Sequence, residues 1–239
     1  MQSKLPSLLV VSIPKSGTVY IRETLLRGLP LKSAIISNLY FPVDQLRLDT
    51  LHEFAVGGQL AVVHIDPSPH NLQLLRRFVP RWTVHIRDPR AVVLSWTHHI
   101  EWLFADGQAD NILHVEPAPP LEYHALPFSR RLTWQIEHFM PRAVSWIESW
   151  LSVIDTGRYD IRLTHYDNLR SSEDAFFQEL MGFFWLDRGA YIHSPPQKNV
   201  SVHYRRGEID EWRRVFTTEQ AERANSMLSP SLRARFDWN

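Results

Sequence analysis

An apolar run over residues 8–13 stops at Pro14, turns through Lys15-Ser16-Gly17-Thr18 and passes into a segment where Ile21, Leu25, Leu26 and Leu29 recur at helical spacing. A buried strand, a tight glycine-containing turn and a helix N-terminus, in that order, commit the start of the chain to an α/β unit. They also build a place for an anion. The first helical amides have no partner within the helix and point back at the turn, and the helix dipole adds roughly half a positive charge there. Lys15 adds a full charge, and Gly17 removes the Cβ that would keep the backbone away from a ligand. The turn lacks the G-x-x-x-x-G-K-[ST] spacing of the nucleoside-triphosphate loop, which points away from a magnesium triphosphate. In isolation the same residues also read as an ordinary strand-to-helix turn with a surface lysine.

The alternation continues along the chain. Residues 59–65 and 82–86 are short apolar strands, and 160–163 is a fourth. Between and after them, 71–78 is helical with Pro80 beyond its end. Pro89 opens a helix running through Ala91, Val92, Leu94 and Ser95, where proline suits the first turn. Residues 129–153, with Trp134, Trp146 and Trp150, and residues 172–186 read as further helices. Strands alternating with helices imply an α/β fold whose parallel sheet is covered on both faces. Residues 104–128 interrupt the rhythm: Pro117, Pro119, Pro120 and Pro127 leave few periodic apolar positions, so the stretch reads as a loop or lid, with disorder as the plain alternative. No repeat, low-complexity tract or linker divides the chain, so residues 1–239 are expected to form a single domain.

Composition narrows the function classes. The formal net charge is +0, so an anionic ligand must be met by a local cluster, and a general nucleic-acid binder is disfavoured. With no cysteine, disulfides, thiolate metal sites and a cysteine nucleophile are excluded. The first strand starts too early for a leader, and no run approaches the roughly 18 apolar residues of a membrane span, so a cytoplasmic protein is expected. The twelve histidines are scattered and lack H-E-x-x-H, and the adjacent His98-His99 pair cannot point one way on a helix, so no metal is expected. Trp134, Trp146 and Trp150, like Phe176, Phe177, Leu180, Met181 and Phe184, recur at helical spacing and are expected to be core.

Two further groups carry cationic chemistry. In His85-Ile86-Arg87-Asp88-Pro89-Arg90, Arg87 stands at the carboxyl end of a strand, where open α/β sheets place their ligands. A guanidinium fork suits a terminal phosphate, and Ser95, two helical turns on, adds a hydroxyl. A structural ion pair of Arg87 with Asp88 or another acid is the alternative. Nearer the C-terminus, Arg205-Arg206-Gly207 forms a cationic loop, balanced by Glu208, Asp210 and Glu211, and Thr217 with Gln220 has the spacing of a capping box.

Together these segments resemble the sulfotransferases that use 3′-phosphoadenosine 5′-phosphosulfate (PAPS). That family carries a P-K-S-G-T turn on the 5′-phosphosulfate, matched here by Pro14-Lys15-Ser16-Gly17-Thr18. Its strand-end arginine and the serine eight residues later, on the 3′-phosphate, correspond to Arg87 and Ser95. Its R-K-G-x-x-G-D-W-K-x-x-F-T segment corresponds to Arg205 through Thr217, with Asp210 and Glu211 replacing the second glycine and the acid after it. The resemblance implies a P-loop-like, three-layer α/β/α fold with a central, mainly parallel sheet of about four to five strands. It also implies that Val19 belongs to the donor site and that Tyr20 and Tyr166 lie near adenine, where stacking a base is favourable by roughly 1–3 kcal/mol.

The resemblance further implies a general base near the end of the second strand. His64 is the candidate, with Asp66 the alternative. Lys15 is then expected to stabilise charge on the leaving phosphate, with Ser95 restraining that lysine until the acceptor binds. The implied reaction is direct in-line sulfuryl transfer from PAPS to a hydroxyl or amine, leaving the 3′,5′-bisphosphate. Trp96, Trp102 and Phe104 are candidates to line the acceptor pocket. They suit a small molecule better than a highly sulfated glycan, which would want a basic groove. A P-loop kinase and a non-catalytic nucleotide-binding module are the competing readings.

Overall fold

The computed structural model describes residues 5–39, 44–107, 117–187, 189, 191–196 and 207–239. The chain divides into two compact units, Met1–Ile86 with Trp150–Gly207, and Arg87–Ser149 with Glu208–Asn239.

The first unit holds a parallel sheet of five strands, β1 (Leu8–Ser12), β2 (Lys32–Ser33), β3 (Gln59–Val63), β4 (Arg81–Ile86) and β5 (Asp160–His165), in the order β2-β3-β1-β4-β5. Helices α1 (Thr18–Gly28), α2 (Leu48–Ala55) and α3 (Pro69–Phe78) lie between the strands along the chain, and α7 (Tyr166–Ser171) and α8 (Glu173–Phe183) follow the last one. The sheet is flanked by helices, as the alternating pattern requires. Every residue of β1 is buried, and in β4 only Arg81, its first residue, approaches solvent. That is the continuous apolar strand expected of a sheet covered on both faces. The order places β1 between β3 and β4, so the chain leaves β3 on one side of β1 and returns as β4 on the other. A reversal of this kind opens a crevice at the carboxyl ends of the strands.

The register gives that carboxyl edge a polar row. Val11 pairs with Val63, Ser12 with His85, and His85 with Thr164. His64 comes one residue after Val63, so His64, Ser12, His85 and Thr164 stand side by side where four strands end.

The second unit contains α4 (Pro89–Ala105), α5 (Phe128–His138), most of α6 (Met140–Asp155), and α9 (Glu211–Val215), α10 (Thr218–Ser226) and α11 (Pro230–Phe236). Its core includes the Trp96 ring stacked on Phe139, with centroids 5.0 Å apart and planes 9° apart. The capping box expected at Thr217 and Gln220 is present, and the Gln220 amide also donates to the Ser129 carbonyl of α5 at 2.9 Å.

The expected helix over 129–153 is two helices, parted at Phe139. Pro141 accounts for the break, because it lacks the N–H of the ladder and its ring crowds the carbonyl four residues back. Of the core expectations, Trp146, Trp150, Phe176, Phe177, Leu180, Met181 and Phe184 are buried, while Trp134 is half-buried and stacks on His138. In the stretch expected to form a loop or lid, α4 runs to Ala105 and a 3-10 helix over Leu121–Ala125 buries Tyr123. Residues 108–116 lie outside the described residues.

Candidate functional site

The turn after β1 is shaped by two residues in left-handed backbone, Lys15 at φ 64 and Gly17 at φ 84. A non-glycine residue there is held by its surroundings and not by its own preference. The buried Ser16 hydroxyl supplies part of that hold, donating to the Ile13 carbonyl at 2.6 Å. Gly17 is the N-cap of α1 and offers no side-chain cap, so the amides of Thr18 and Val19 keep the helix dipole's positive end uncovered by a capping oxygen. A Cβ at Gly17 would stand 3.0 Å from Cε2 of Tyr166, so this glycine is needed both for its φ and for the ring packed against it.

His64 stands beside that turn. Its Nδ1 lies 2.7 Å from the Ser12 carbonyl oxygen, which can only accept, so Nδ1 carries the proton and Nε2 holds the lone pair. The ring's pKa is lowered, chiefly because burial disfavours the charged form. The Ser12 hydrogen bond and the Asp44 carboxylate oppose that effect, and the Lys15 charge adds to it. The imidazole is therefore neutral at physiological pH, in the tautomer a base requires.

Asp44 was not singled out in the sequence. It is fully buried, and its carboxylate accepts from the Ser37 hydroxyl at 2.9 Å, the Leu39 amide at 2.7 Å and the His64 amide at 3.3 Å. The segment beyond His64 is anchored too. Trp150 donates its indole N–H to the Ile65 carbonyl at 3.0 Å, and the Asn71 amide donates to the Asp66 carboxylate at 3.0 Å. Asp66 is thus occupied as a cap-side acceptor, also receiving the Ser68 amide at 3.4 Å.

Tyr20 and Tyr166 both belong to the first unit. Tyr166 is buried against Gly17, and the Tyr20 hydroxyl donates to Glu173 at 2.5 Å. His193 reaches the same Glu173 oxygen at 2.9 Å.

In the second unit, Arg87 is nearly buried and donates to the Glu208 carbonyl at 3.0 Å. The acid beside it is engaged elsewhere. Asp88 is gripped by Arg90, with Arg90 Nη2 at 2.7 Å and Nε at 3.0 Å. The Arg90 guanidinium also lies 4.0 Å from the Trp212 ring centroid and donates to Asn225 at 2.7 Å. Arg90, not Arg87, is therefore the structural partner of Asp88. Ser95, Trp102 and Phe104 are half-buried on α4, and Phe104 faces the rings of Tyr123 and His124. Trp96 is 7% exposed within the aromatic core. Gly207 has φ 68; Arg205 and Arg206 lie outside the described residues. Among the described residues, no group of three or more histidines and acids could hold a metal ion, and no helix is long and apolar enough to cross a membrane.

No protein-family model matches the sequence, and no curated protein matches it. Its structure is similar to that of mouse sulfotransferase SULT7A1 complexed with PAP, with a TM-score of 0.61 at 13% identity over 93% of this chain and 82% of that one. A sulfotransferase from Alicyclobacillus acidocaldarius aligns with a TM-score of 0.49 at 11% identity, over 97% of this chain and 96% of that one. The likeness to the mouse enzyme shows the fold: this chain has the sulfotransferase fold.

Proposed function

We propose that this protein transfers a sulfuryl group from PAPS to a hydroxyl or amine of a small-molecule acceptor. The observation that carries the reading is the pairing, within one unit, of an uncapped helix N-terminus after Lys15 with a histidine whose Nδ1 donates to the Ser12 carbonyl. Lys15 and the first amides of α1 follow β1, and His64, held to the last residue of β1, lies close enough to feel the lysine's charge. The residues suit a phosphosulfate: a half-buried cation, an uncapped helix N-terminus, and a glycine where a Cβ would meet Tyr166.

When bound, the donor supplies an activated sulfuryl group whose leaving phosphate gains negative charge as the bond breaks. Lys15 and the turn amides would hold that phosphate and stabilise its charge. His64 Nε2 would take the acceptor's proton as its oxygen or nitrogen attacks, becoming an imidazolium whose charge Asp44 favours. A direct in-line displacement needs no covalent enzyme intermediate. Tyr20 and Tyr166 would flank the adenine, and Arg87, Ser95 and the Arg205-Arg206-Gly207 segment would take the 3′-phosphate. Trp102 and Phe104 are the aromatic side chains on α4 proposed to meet the acceptor.

The test is transfer of radiolabelled sulfate from PAPS to a panel of phenols, alcohols and amines, without added metal or ATP. Sulfated product from the wild type, lost by roughly 10²–10³-fold in Lys15→Ala, is the expected result. Binding of the 3′,5′-bisphosphate without turnover of any acceptor would identify a non-catalytic module instead. Equal turnover in Lys15→Ala would overturn the mechanism.

A further inference from the structure

His85 takes no part in the chemistry above, yet it is fully buried and both ring nitrogens are engaged. Nε2 lies 2.9 Å from the Ser16 carbonyl oxygen, and Nδ1 lies 2.9 Å from the Thr164 hydroxyl. A carbonyl can only accept, so Nε2 carries the proton. Nδ1 then accepts from Thr164, whose hydroxyl can donate. A side chain from β4, braced from β5, thus grips the backbone of the turn after β1.

The grip has a consequence on the other side of the peptide. In a trans peptide plane, the C=O of one residue and the N–H of the next point in opposite directions. With the Ser16 carbonyl turned inward to His85, the Gly17 N–H is turned away from it, toward the half-exposed side of the turn. The turn's own backbone does not select this orientation. Rotating the plane between residues 16 and 17 changes ψ of Ser16 and φ of Gly17, and glycine accepts either sign of φ at little cost. The residue that lets the backbone approach an anion therefore also lets the peptide flip and present a carbonyl oxygen to it.

We infer that His85 is a positioning residue that locks the Ser16–Gly17 peptide with its N–H outward, making the turn a donor-only cradle for the 5′-phosphate end of the donor. The inference rests on the reading of residues 14–18 as the turn that holds this group. Because the lock is internal and meets only the turn, it acts on ligands through one end only. Those that lack a 5′-phosphate should not sense its loss.

The experiment compares His85→Phe, which keeps a ring but cannot donate, with His85→Gln, whose amide N–H reaches the position of Nε2. Calorimetry with adenosine 3′,5′-bisphosphate should show affinity reduced about tenfold in His85→Phe and largely restored in His85→Gln. Adenosine 3′-monophosphate should bind both variants as it binds the wild type. Equal loss for both nucleotides, or no loss for either, overturns the inference. Nitrogen NMR of the wild-type His85 ring provides a readout free of ligand and of folding in the variants. A proton on Nε2 is expected, and an Nδ1–H tautomer with Nε2 unprotonated refutes the lock. If the wild type binds neither nucleotide, the proposed function fails, while the tautomer still decides the inference.

Discussion

Replacing Asp44 by asparagine should move the acid limb of the activity profile to lower pH while lowering the plateau. The two effects share one cause. In the proposed mechanism His64 works as a base when neutral, so activity should be lost as pH falls through its pKa. That pKa already lies below the ordinary 6.5, because burial outweighs the Ser12 hydrogen bond and the Asp44 charge that oppose it. An opposite charge within about 4–6 Å of an ionisable group commonly moves it by about 1–3 units. Asp44 is fully buried and touches His64 through the backbone amide at 3.3 Å, so solvent screens it little. Its effect on the ring is smaller than that of burial. Removing the charge lowers the His64 pKa further. More of the enzyme is then in the base form at low pH, but that base is weaker and turns over more slowly once fully deprotonated.

The assay is the initial rate of sulfuryl transfer against pH, beside an NMR titration of the His64 ring without substrate. Ser37→Ala is the control, since it removes a hydrogen bond to Asp44 but keeps the carboxylate. The reasoning is refuted if the ring of a folded Asp44→Asn protein titrates as in the wild type. It is equally refuted if the acid limb moves upward. The same shift has a stability counterpart. With the folded pKa below the unfolded one, stability is full above pH 6.5 and declines as pH falls toward the folded value.

Three further outcomes follow from the same contacts. Gly17→Ala should cost about 1–2 kcal/mol for the left-handed backbone alone, and more from the Tyr166 ring 3.0 Å from the new Cβ; urea unfolding and bisphosphate affinity should both register it. Arg87→Ala should weaken the 3′,5′-bisphosphate by about ten- to a hundredfold with little change in affinity for adenosine 5′-monophosphate, measured by calorimetry. Arg90→Ala should lower unfolding free energy by about 3–5 kcal/mol, because it leaves Asp88 buried without its partner; denaturant unfolding reads this directly.

What the sequence made legible and what it hid divide along a physical line. Residues 8–12, 59–63 and 81–86 announce themselves because a strand covered on both faces is mostly apolar. The turn at 14–18 is legible because its chemistry is local: a lysine, a glycine and a helix start are consecutive. β2 is only Lys32–Ser33, an edge strand with no apolar signature, and nothing in its composition marks it. Asp44 is hidden for a different reason. Its donors are Ser37, Leu39 and His64, and the link that matters spans twenty residues that only the sheet brings together. His85 carried a faint signal, a histidine in the otherwise apolar end of a strand. A buried polar residue must find partners, but which partners depends on register, and register is not written in one strand.

The register also explains how two histidines in one row come to differ. His64 and His85 flank the end of β1, and each donates one N–H to a backbone carbonyl of that strand or its turn, to Ser12 and to Ser16. The backbone takes Nδ1–H from one ring and Nε2–H from the other. In His64 the nitrogen left with its lone pair is Nε2, on a half-buried residue, and in the proposed mechanism that atom receives the proton. In His85 it is Nδ1, turned to the buried Thr164 hydroxyl, where no acceptor's proton can arrive. The same side chain thus has the geometry proposed for a base on one side of β1 and for a brace on the other. Which role each takes is decided by which nitrogen the neighbouring carbonyl claims, a choice set by the parallel register of β3 and β4 against β1.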